Sequence, residues 1–374
     1  MKKLALVLLM LLTLLTSGCT IPGTDIEIPF LPGFGPNVQV YKHDVVVIDS
    51  VGAIPSTTVR SGQTVTLRTV IKNLQKPESK PEKNIQIKLF NTCELFDVIP
   101  AQSFCSMCKT GQNQQQGPTQ LGGSWVYNIE EMYPKSTVVI DWALKARDVK
   151  IQTPCKAGIL VQYDYFTPTS YKVIFISKSE LDRLISQGNQ PSSVGLEGVV
   201  GEGPVKAYLE VPNQPIPVGV DNGAGFGSGV MSFWLQNNGF GQINTPINGN
   251  NVVFQTGSCE NYDLVGENDK NICISINTDP AVGQATGGIG SDCTEMLCAE
   301  GATATTLSTC LQGKIGSKLN FIGDSTPKYS CEIRPGNRGS VKLEKTYQIK
   351  ADVKYSYVFT KDISLTVEPQ IRLG

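Results

Sequence analysis

Tyr163-Asp164-Tyr165-Phe166-Thr167 returns near the end of the chain as Tyr355-Ser356-Tyr357-Val358-Phe359-Thr360. In a strand, alternate side chains share one face, so each word sets two tyrosines on the same side of a sheet. Ile159-Leu160-Val161-Gln162 leads into the first word. A turn signal at Thr167-Pro168-Thr169 and a last strand, Tyr171-Lys172-Val173-Ile174-Phe175-Ile176, follow it. The second word is likewise followed by a final strand, Ile363-Ser364-Leu365-Thr366-Val367.

Working back from these words, the same order of signals appears twice. In the first half Val45-Val46-Val47-Ile48 reads as a strand. Val65-Thr66-Leu67-Arg68-Thr69-Val70-Ile71 follows the turn Ser61-Gly62 and runs into Lys72-Asn73. Ile85-Gln86-Ile87-Lys88-Leu89-Phe90 alternates as a half-buried strand should and precedes Cys93. Val138-Val139-Ile140-Asp141-Trp142-Ala143-Leu144 comes next. In the second half Lys206-Ala207-Tyr208-Leu209-Glu210-Val211 opens, and Val230-Met231-Ser232-Phe233-Trp234-Leu235 runs into Asn237-Asn238. Val252-Val253-Phe254 then leads to Cys259, and the spacing from Asn237 to Cys259 is close to that from Asn73 to Cys93. Repeated order at repeated spacing predicts two homologous all-β sandwich domains in tandem.

Residues 38–177 make the first sandwich and residues 204–374 the second, which carries a long Cys-rich insertion at 260–318. The first sandwich has its own shorter insertion at 94–120. Between the domains, 178–203 reads as a short helix and linker. Ser177 or Ser179 caps the helix, Leu181, Leu184 and Ile185 share one face, and Gly188 ends it. Ahead of the sandwiches, 19–37 is a Pro/Gly-rich tether.

The chain begins Met1-Lys2-Lys3, followed by an apolar run at 4–15 broken only by Thr13, then Thr16-Ser17-Gly18-Cys19. A basic start, a short apolar core and small residues before a cut site make an export signal. The run is too short for a spanning helix, which needs about 20 apolar residues. Composition agrees. Charged residues are 17% of the 374-residue chain, below the roughly 25% of an ordinary soluble domain. The formal net charge is −1 and no basic tract exists, which excludes nucleic acid as a partner.

Of the eleven cysteines, setting Cys19 aside leaves an even set. Cys93, Cys105, Cys108 and Cys155 fall in the first half. Cys259, Cys273, Cys293, Cys298, Cys310 and Cys331 fall in the second. Even counts in both halves suit separately disulfide-bonded domains in an oxidising compartment, with the connectivity open. Cys105-Ser106-Met107-Cys108 is a C-x-x-C. It lacks the strand-then-helix setting of a redox pair, and export disfavours the reduced thiolates that a zinc site with Cys93 and Cys155 would need.

Other candidate chemistry is weaker. His43 is the chain's only histidine and stands near no nucleophile elbow, so no catalytic residue is assigned. The alternating Gly223, Gly225, Gly227 and Gly229 precede a strand and not the helix of a phosphate loop. Asp263, Glu267, Asp269, Asp279 and Asp292 lack calcium-loop spacing and read as solvated loop carboxylates; no metal and no cofactor is expected. Tyr163, Tyr165, Tyr355 and Tyr357 are read first as packing or tyrosine-corner residues, and second as a binding face.

Two resemblances add to this reading. Ser17-Gly18-Cys19 resembles the lipobox of exported lipoproteins, which implies that 1–18 is a lipoprotein-type signal peptide. It also implies that a lipid on Cys19 ties the chain to the outer face of the cytoplasmic membrane. Val70-Ile71-Lys72-Asn73, Ile85-Gln86-Ile87-Lys88-Leu89 and the Tyr-x-Tyr closing words resemble the tandem immunoglobulin-like domains of archaeal and bacterial surface proteins, of the S-layer-related and cell-adhesion-related type. That likeness covers most of 38–368. It implies a non-enzymatic binding, adhesion or envelope-scaffolding role toward a protein or glycan surface partner. The alternatives are a subunit of a surface or pilus-like assembly, or a carbohydrate-active module.

Overall fold

A computed structural model describes residues 43–108, 117–189, 198–219, 229–243, 250–254, 259–260, 264, 270–278, 289–290, 307–335 and 341–370. Cys19, the signal and tether, Cys293, Cys298, most of the 219–229 glycine run and the acidic residues Asp263, Glu267, Asp269, Asp279 and Asp292 lie outside them.

The first copy supplies β1 (Val46–Ile54), β2 (Thr58–Arg60), β3 (Thr64–Asn73), β4 (Glu82–Asn91), β5 (Ser124–Met132), β6 (Thr137–Ala146) and β7 (Thr153–Ser177). A helix, α1 (Lys178–Ser186), follows. The second copy supplies β8 (Val205–Glu210), β9 (Ile216–Val218), β10 (Gly229–Asn237), β11 (Asn250–Phe254), β12 (Lys270–Thr278), β13 (Tyr329–Pro335) and β14 (Glu344–Glu368). Alternation drives each strand. In β3, for example, Val65, Leu67 and Ile71 are fully buried while Thr64 and Arg68 face solvent.

The chain is all-β and builds two sandwiches. A sheet ordered β1-β3-β6 covers one half of a twelve-stranded sheet, and β8-β10-β13 occupies the same place over the other half. The large sheet runs β11-β12-β14-β7-β4-β5 through its middle. Between the layers lie Leu67, Ile71, Ile85, Ile87 and Trp142 in the first half, and Phe233, Leu235, Ile274 and Ile333 in the second. Trp142 of β6 meets Tyr127 of β5 across the layers, ring centroids 5.0 Å apart. Each fully buried side chain of this size stabilises the fold by roughly 1.5–3 kcal/mol.

The equivalence inferred from the sequence is visible in the register. Val46 stands opposite Asn73 in the pairing of β1 with β3, and Val205 stands opposite Asn237 in the pairing of β8 with β10. In both copies the asparagine side chain accepts the amide two residues on, Gln75 N–H at 2.9 Å and Gly239 N–H at 3.1 Å. These are Asx turns that stop the strand.

Two expectations are corrected. The turn at Thr167-Pro168-Thr169 does not form. β7 continues through it as one 25-residue strand, and β14 is equally long, where most strands have roughly 3–10 residues. The two pair antiparallel from Thr153↔Val367 to Ile176↔Glu344, with Asp164 opposite Ser356 at the centre. Pro168 is tolerated because its carbonyl points to the outer edge, where it accepts Gly201 N–H at 2.7 Å. Its missing N–H faces the same way, into the gap between β4, which leaves β7 at Gln162, and a short strand that joins at Thr169.

The second correction concerns the insertion at 260–318. Val252-Val253-Phe254 does not take the place of Ile85 to Phe90. That place beside β14 belongs to β12, which lies inside the stretch read as a loop, and β11 runs parallel one strand further out. Ile272, Cys273, Ile274, Ser275 and Ile276 are all buried, which makes β12 a core strand covered on both faces.

The long strands also change halves. β7 begins beside β4 of the first copy and ends beside β9 of the second. β14 begins beside β12 of the second copy and ends beside β2 of the first, Val367 opposite Val59. The copies therefore exchange the ends of their last strands. Contacts hold residues 41–374 together as one unit.

The helix behaves as predicted. Ser177 caps α1, its hydroxyl accepting Glu180 N–H at 3.2 Å, and Gly188 follows the end at φ +73°.

Candidate binding cleft

Where the long strands cross, the four tyrosines of the repeated words meet. Tyr163 lies opposite Tyr357 and Tyr165 opposite Tyr355, with ring centroids 5.8 and 6.1 Å apart. All four are buried, as the packing reading expected, and not laid out as a binding face. Their hydroxyls are tied to both copies. Tyr163 Oη accepts Val46 N–H at 3.4 Å, and Tyr355 Oη accepts Val205 N–H at 3.0 Å. Burial drives the hydroxyls of Tyr163 and Tyr355 far above their usual range, so both stay neutral.

The second tyrosine of each pair meets an acid. Tyr165 is pushed up to about 12, by burial first and then by the charge of Glu82. Glu82 is itself pushed up to about 8 by burial, against the pull of Gln75, whose Nε2–H donates to it at 2.6 Å. Asn73 Nδ2–H donates to Gln75 Oε1 at 3.1 Å, so the first copy closes its turn with an Asn73–Gln75–Glu82 chain.

The second copy does not close in this way. Its turn is Asn237-Asn238-Gly239-Phe240-Gly241, and the acid comes from the other copy. Asp44 accepts Phe240 N–H at 3.2 and 3.1 Å, and Tyr357 Oη–H lies 3.3 Å from Asp44 and 3.1 Å from Asn237 Oδ1. Burial raises Asp44 above the usual carboxylate range, with the Phe240 amide holding it down in part. The glycines make the approach possible. A Cβ on Gly239 would sit 2.4 Å from both Asp44 Oδ1 and Tyr357 Oη, and one on Gly241 would sit 2.5 Å from Val358 O.

This turn forms one wall of a cleft of about 370 Å³. The other wall is residues 319–324, after the helix α2 (Leu307–Ile315), and the walls are joined where Asn237 N–H donates to Asp324 O at 2.7 Å. Ile243 and Leu319 are buried beneath it, while Phe240 at the rim is 57% exposed. Gln242, Asn320 and Asp324 bring exposed polar side chains to it. The volume lies at the small end of the roughly 300–1,000 Å³ of ligand pockets.

Of the residues named from the sequence, Asn237, read there as the end of a strand, lines this cleft; none of the candidate site residues does. Cys93 bonds to Cys155, Cys105 to Cys108 and Cys259 to Cys273, with Cα–Cα distances of 5.7, 5.4 and 6.0 Å. Cys331 is disulfide-bonded as well. With Cys93 and Cys155 joined, the C-x-x-C cysteines bond to each other. Cys310 belongs to α2. His43 sits beside Asp44 and helps hold the acid's pKa down. Among the described residues, no group of three or more histidine, cysteine or acidic side chains is placed to hold a metal. No described helix is long and apolar enough to cross a membrane. In the sequence the strand signal stops at Asn237-Asn238 and Gly239-Phe240-Gly241 is given no role; a phenylalanine between two glycines was the local signal that could have marked the cleft.

No family model and no curated protein matches the chain. Solved structures give only faint likenesses. Domains D2 and D3 of the major pilin SpaD of Corynebacterium diphtheriae are 11% identical, cover 53% of this chain and 83% of their own, and score a TM of 0.22. The major pilin SpaA of the same organism is 10% identical over 46% of this chain and 56% of its own, at a TM-score of 0.22. The Enterococcus faecalis surface protein ACE, which binds its ligands by a collagen hug, is 12% identical over 86% of this chain and 95% of its own, at a TM-score of 0.15. Scores this low leave function to be argued from the chain itself.

Proposed function

We propose that this chain is a non-enzymatic surface protein. It is exported, held to the outer face of the cytoplasmic membrane by a lipid on Cys19, and binds a surface partner in the cleft between residues 237–243 and 319–324. The observation that carries the reading is the divergence of the two turns. The same Asx turn is closed by Gln75 and Glu82 in one copy and opened around Phe240 in the other. Where two equivalent turns diverge and one of them lines a cleft, that turn has been shaped for more than stability.

The binding, non-catalytic reading is supported by the acids: Asp324 is the one carboxylate among the cleft's described lining residues, with no second acid beside it to share acid–base work. Asp44 and Glu82 are turned inward to amide and hydroxyl donors and fill structural roles at the crossing of the long strands. A rigid sheet beneath the cleft fixes its walls before the ligand arrives, which lowers the ordering cost of binding.

The test is adhesion of the mature chain to immobilised cell-envelope fragments of its source organism. Phe240→Ala and Asp324→Asn should each weaken it at least tenfold, while Ile151→Ala, at an exposed apolar residue outside the cleft, should not. Equal binding by all variants would overturn the cleft's role. Intact mass and non-reducing peptide mapping of protein from the native host should find a lipid on Cys19; an unmodified Cys19 would overturn the anchor.

A further inference from the structure

The cleft's chemistry narrows its ligand, on the assumption that it is the binding site just proposed. Among the described residues that line it there is no lysine, arginine or histidine, and the one carboxylate is Asp324. An anionic ligand such as a phosphate or carboxylate would find no cation to pair with. A divalent cation would find one carboxylate where six to eight oxygens, or a few soft ligands, are needed. An apolar ligand would strand the amides of Gln242 and Asn320 without water.

The lining matches a different kind of molecule, one with apolar C–H faces and a ring of neutral hydroxyls. Phe240 is exposed and Phe321 half-buried, and the two supply aromatic surface. The negative face of such a ring attracts the weakly positive C–H groups of a sugar. Among the described residues the side chains of Gln242, Asn320 and Asp324 make no hydrogen bond, so their donors and acceptors are available. A carboxylate accepts from two adjacent hydroxyls at once, and a primary amide donates to one hydroxyl while accepting from another. Asn237 is different: its Nδ2–H is committed to Gly241 O at 2.8 Å and its Oδ1 to Gly239 and Tyr357, so it builds the wall and does not read the ligand.

We propose that the cleft between residues 237–243 and 319–324 binds a neutral carbohydrate, with Phe240 and Phe321 stacking on a pyranose face and Asp324, Asn320 and Gln242 pairing its hydroxyls. The site opens to solvent beside the exposed Phe240, as suits a sugar within or at the end of a surface glycan.

The test uses the full mature chain and three probes at millimolar concentration: methyl α-mannopyranoside, methyl β-galactopyranoside and methyl β-glucopyranoside. Saturation-transfer NMR should show contact to the ring protons of at least one. Phe240→Ala and Asp324→Asn, both at exposed positions, should each weaken that binding at least tenfold with unchanged thermal midpoints. No transfer to any probe, or transfer equal in both variants, overturns the proposal. Envelope binding that both variants lose but no glycoside competes away assigns the cleft to a protein partner: the sugar inference then fails and the binding role stands. Envelope binding that neither variant changes removes both.

Discussion

Tyr163 and Tyr355 hold the same place in the two copies, each hydroxyl accepting the backbone N–H at the start of its own copy's first strand, Val46 at 3.4 Å and Val205 at 3.0 Å. The shorter bond belongs to Tyr355, which also shares a hydrogen bond of 3.1 Å with the Thr167 hydroxyl. Tyr355→Phe leaves a buried amide unsatisfied and should cost about 1–3 kcal/mol in urea unfolding. Tyr163→Phe should cost less, and the reverse ranking would contradict the geometry.

Glu82 sets a pH dependence. Its folded pKa is raised to about 8 from 4.5, so the fold favours the protonated form. The stability gained is fully present below pH 4.5 and is lost as pH rises to about 8. Glu82→Gln keeps the acceptor for Gln75 and carries no charge. It should flatten the decline of melting temperature across that window and be the more stable protein above it, by on the order of a few kcal/mol. Parallel profiles for the two proteins would show that Glu82 is not the titrating group.

Gly239 and Gly52 make a matched pair. A Cβ at Gly239 meets Asp44 and Tyr357 at 2.4 Å, whereas one at Gly52 meets nothing within 4 Å. Gly239→Ala should lower stability by about 1–3 kcal/mol through overpacking and should impair the cleft, while Gly52→Ala is neutral or slightly stabilising. Thermal melts of the two variants check this directly.

The disulfides differ in the loops they close. Cys93–Cys155 spans a separation of 62 residues and Cys105–Cys108 one of 3. Loop-closure entropy gives roughly 4 kcal/mol for the first and roughly 2 for the second. Replacing both members of each pair by serine, with denaturant midpoints as the readout, should show the first loss to be the larger.

Strand exchange predicts the fate of a divided chain. A fragment ending at Gln187 keeps β7 but loses β9 and β14, leaving the far end of β7 with no partner. It should dimerise or aggregate in light scattering, because an open strand edge recruits another chain. A folded monomer with cooperative unfolding would refute the exchange.

The sequence carried much of this and hid some of it for local reasons. Ile85-Gln86-Ile87-Lys88-Leu89 alternates because one face packs and the other meets solvent, so its strand was legible, as were Asn73 and Asn237 as equivalent stops. Pro168 misled because proline marks a turn unless its missing amide happens to face a gap, and that gap exists only once β4 and its neighbours are placed. Lys270–Thr278 was hidden by the Gly-rich sequence around it. The cleft was least legible of all. Its two walls are far apart in the chain, and nothing near Phe240 announces that residues 319–324 will stand across from it.

The crossing of the long strands has a mechanical meaning. A force that draws the two sandwiches apart along β7 and β14 loads their ladder sideways to its hydrogen bonds, which run perpendicular to the strands. Many bonds must then give way together, where a ladder peeled from one end would lose them singly. If the cleft binds as proposed, such a strap would let it keep its grip while the surface it holds is pulled away.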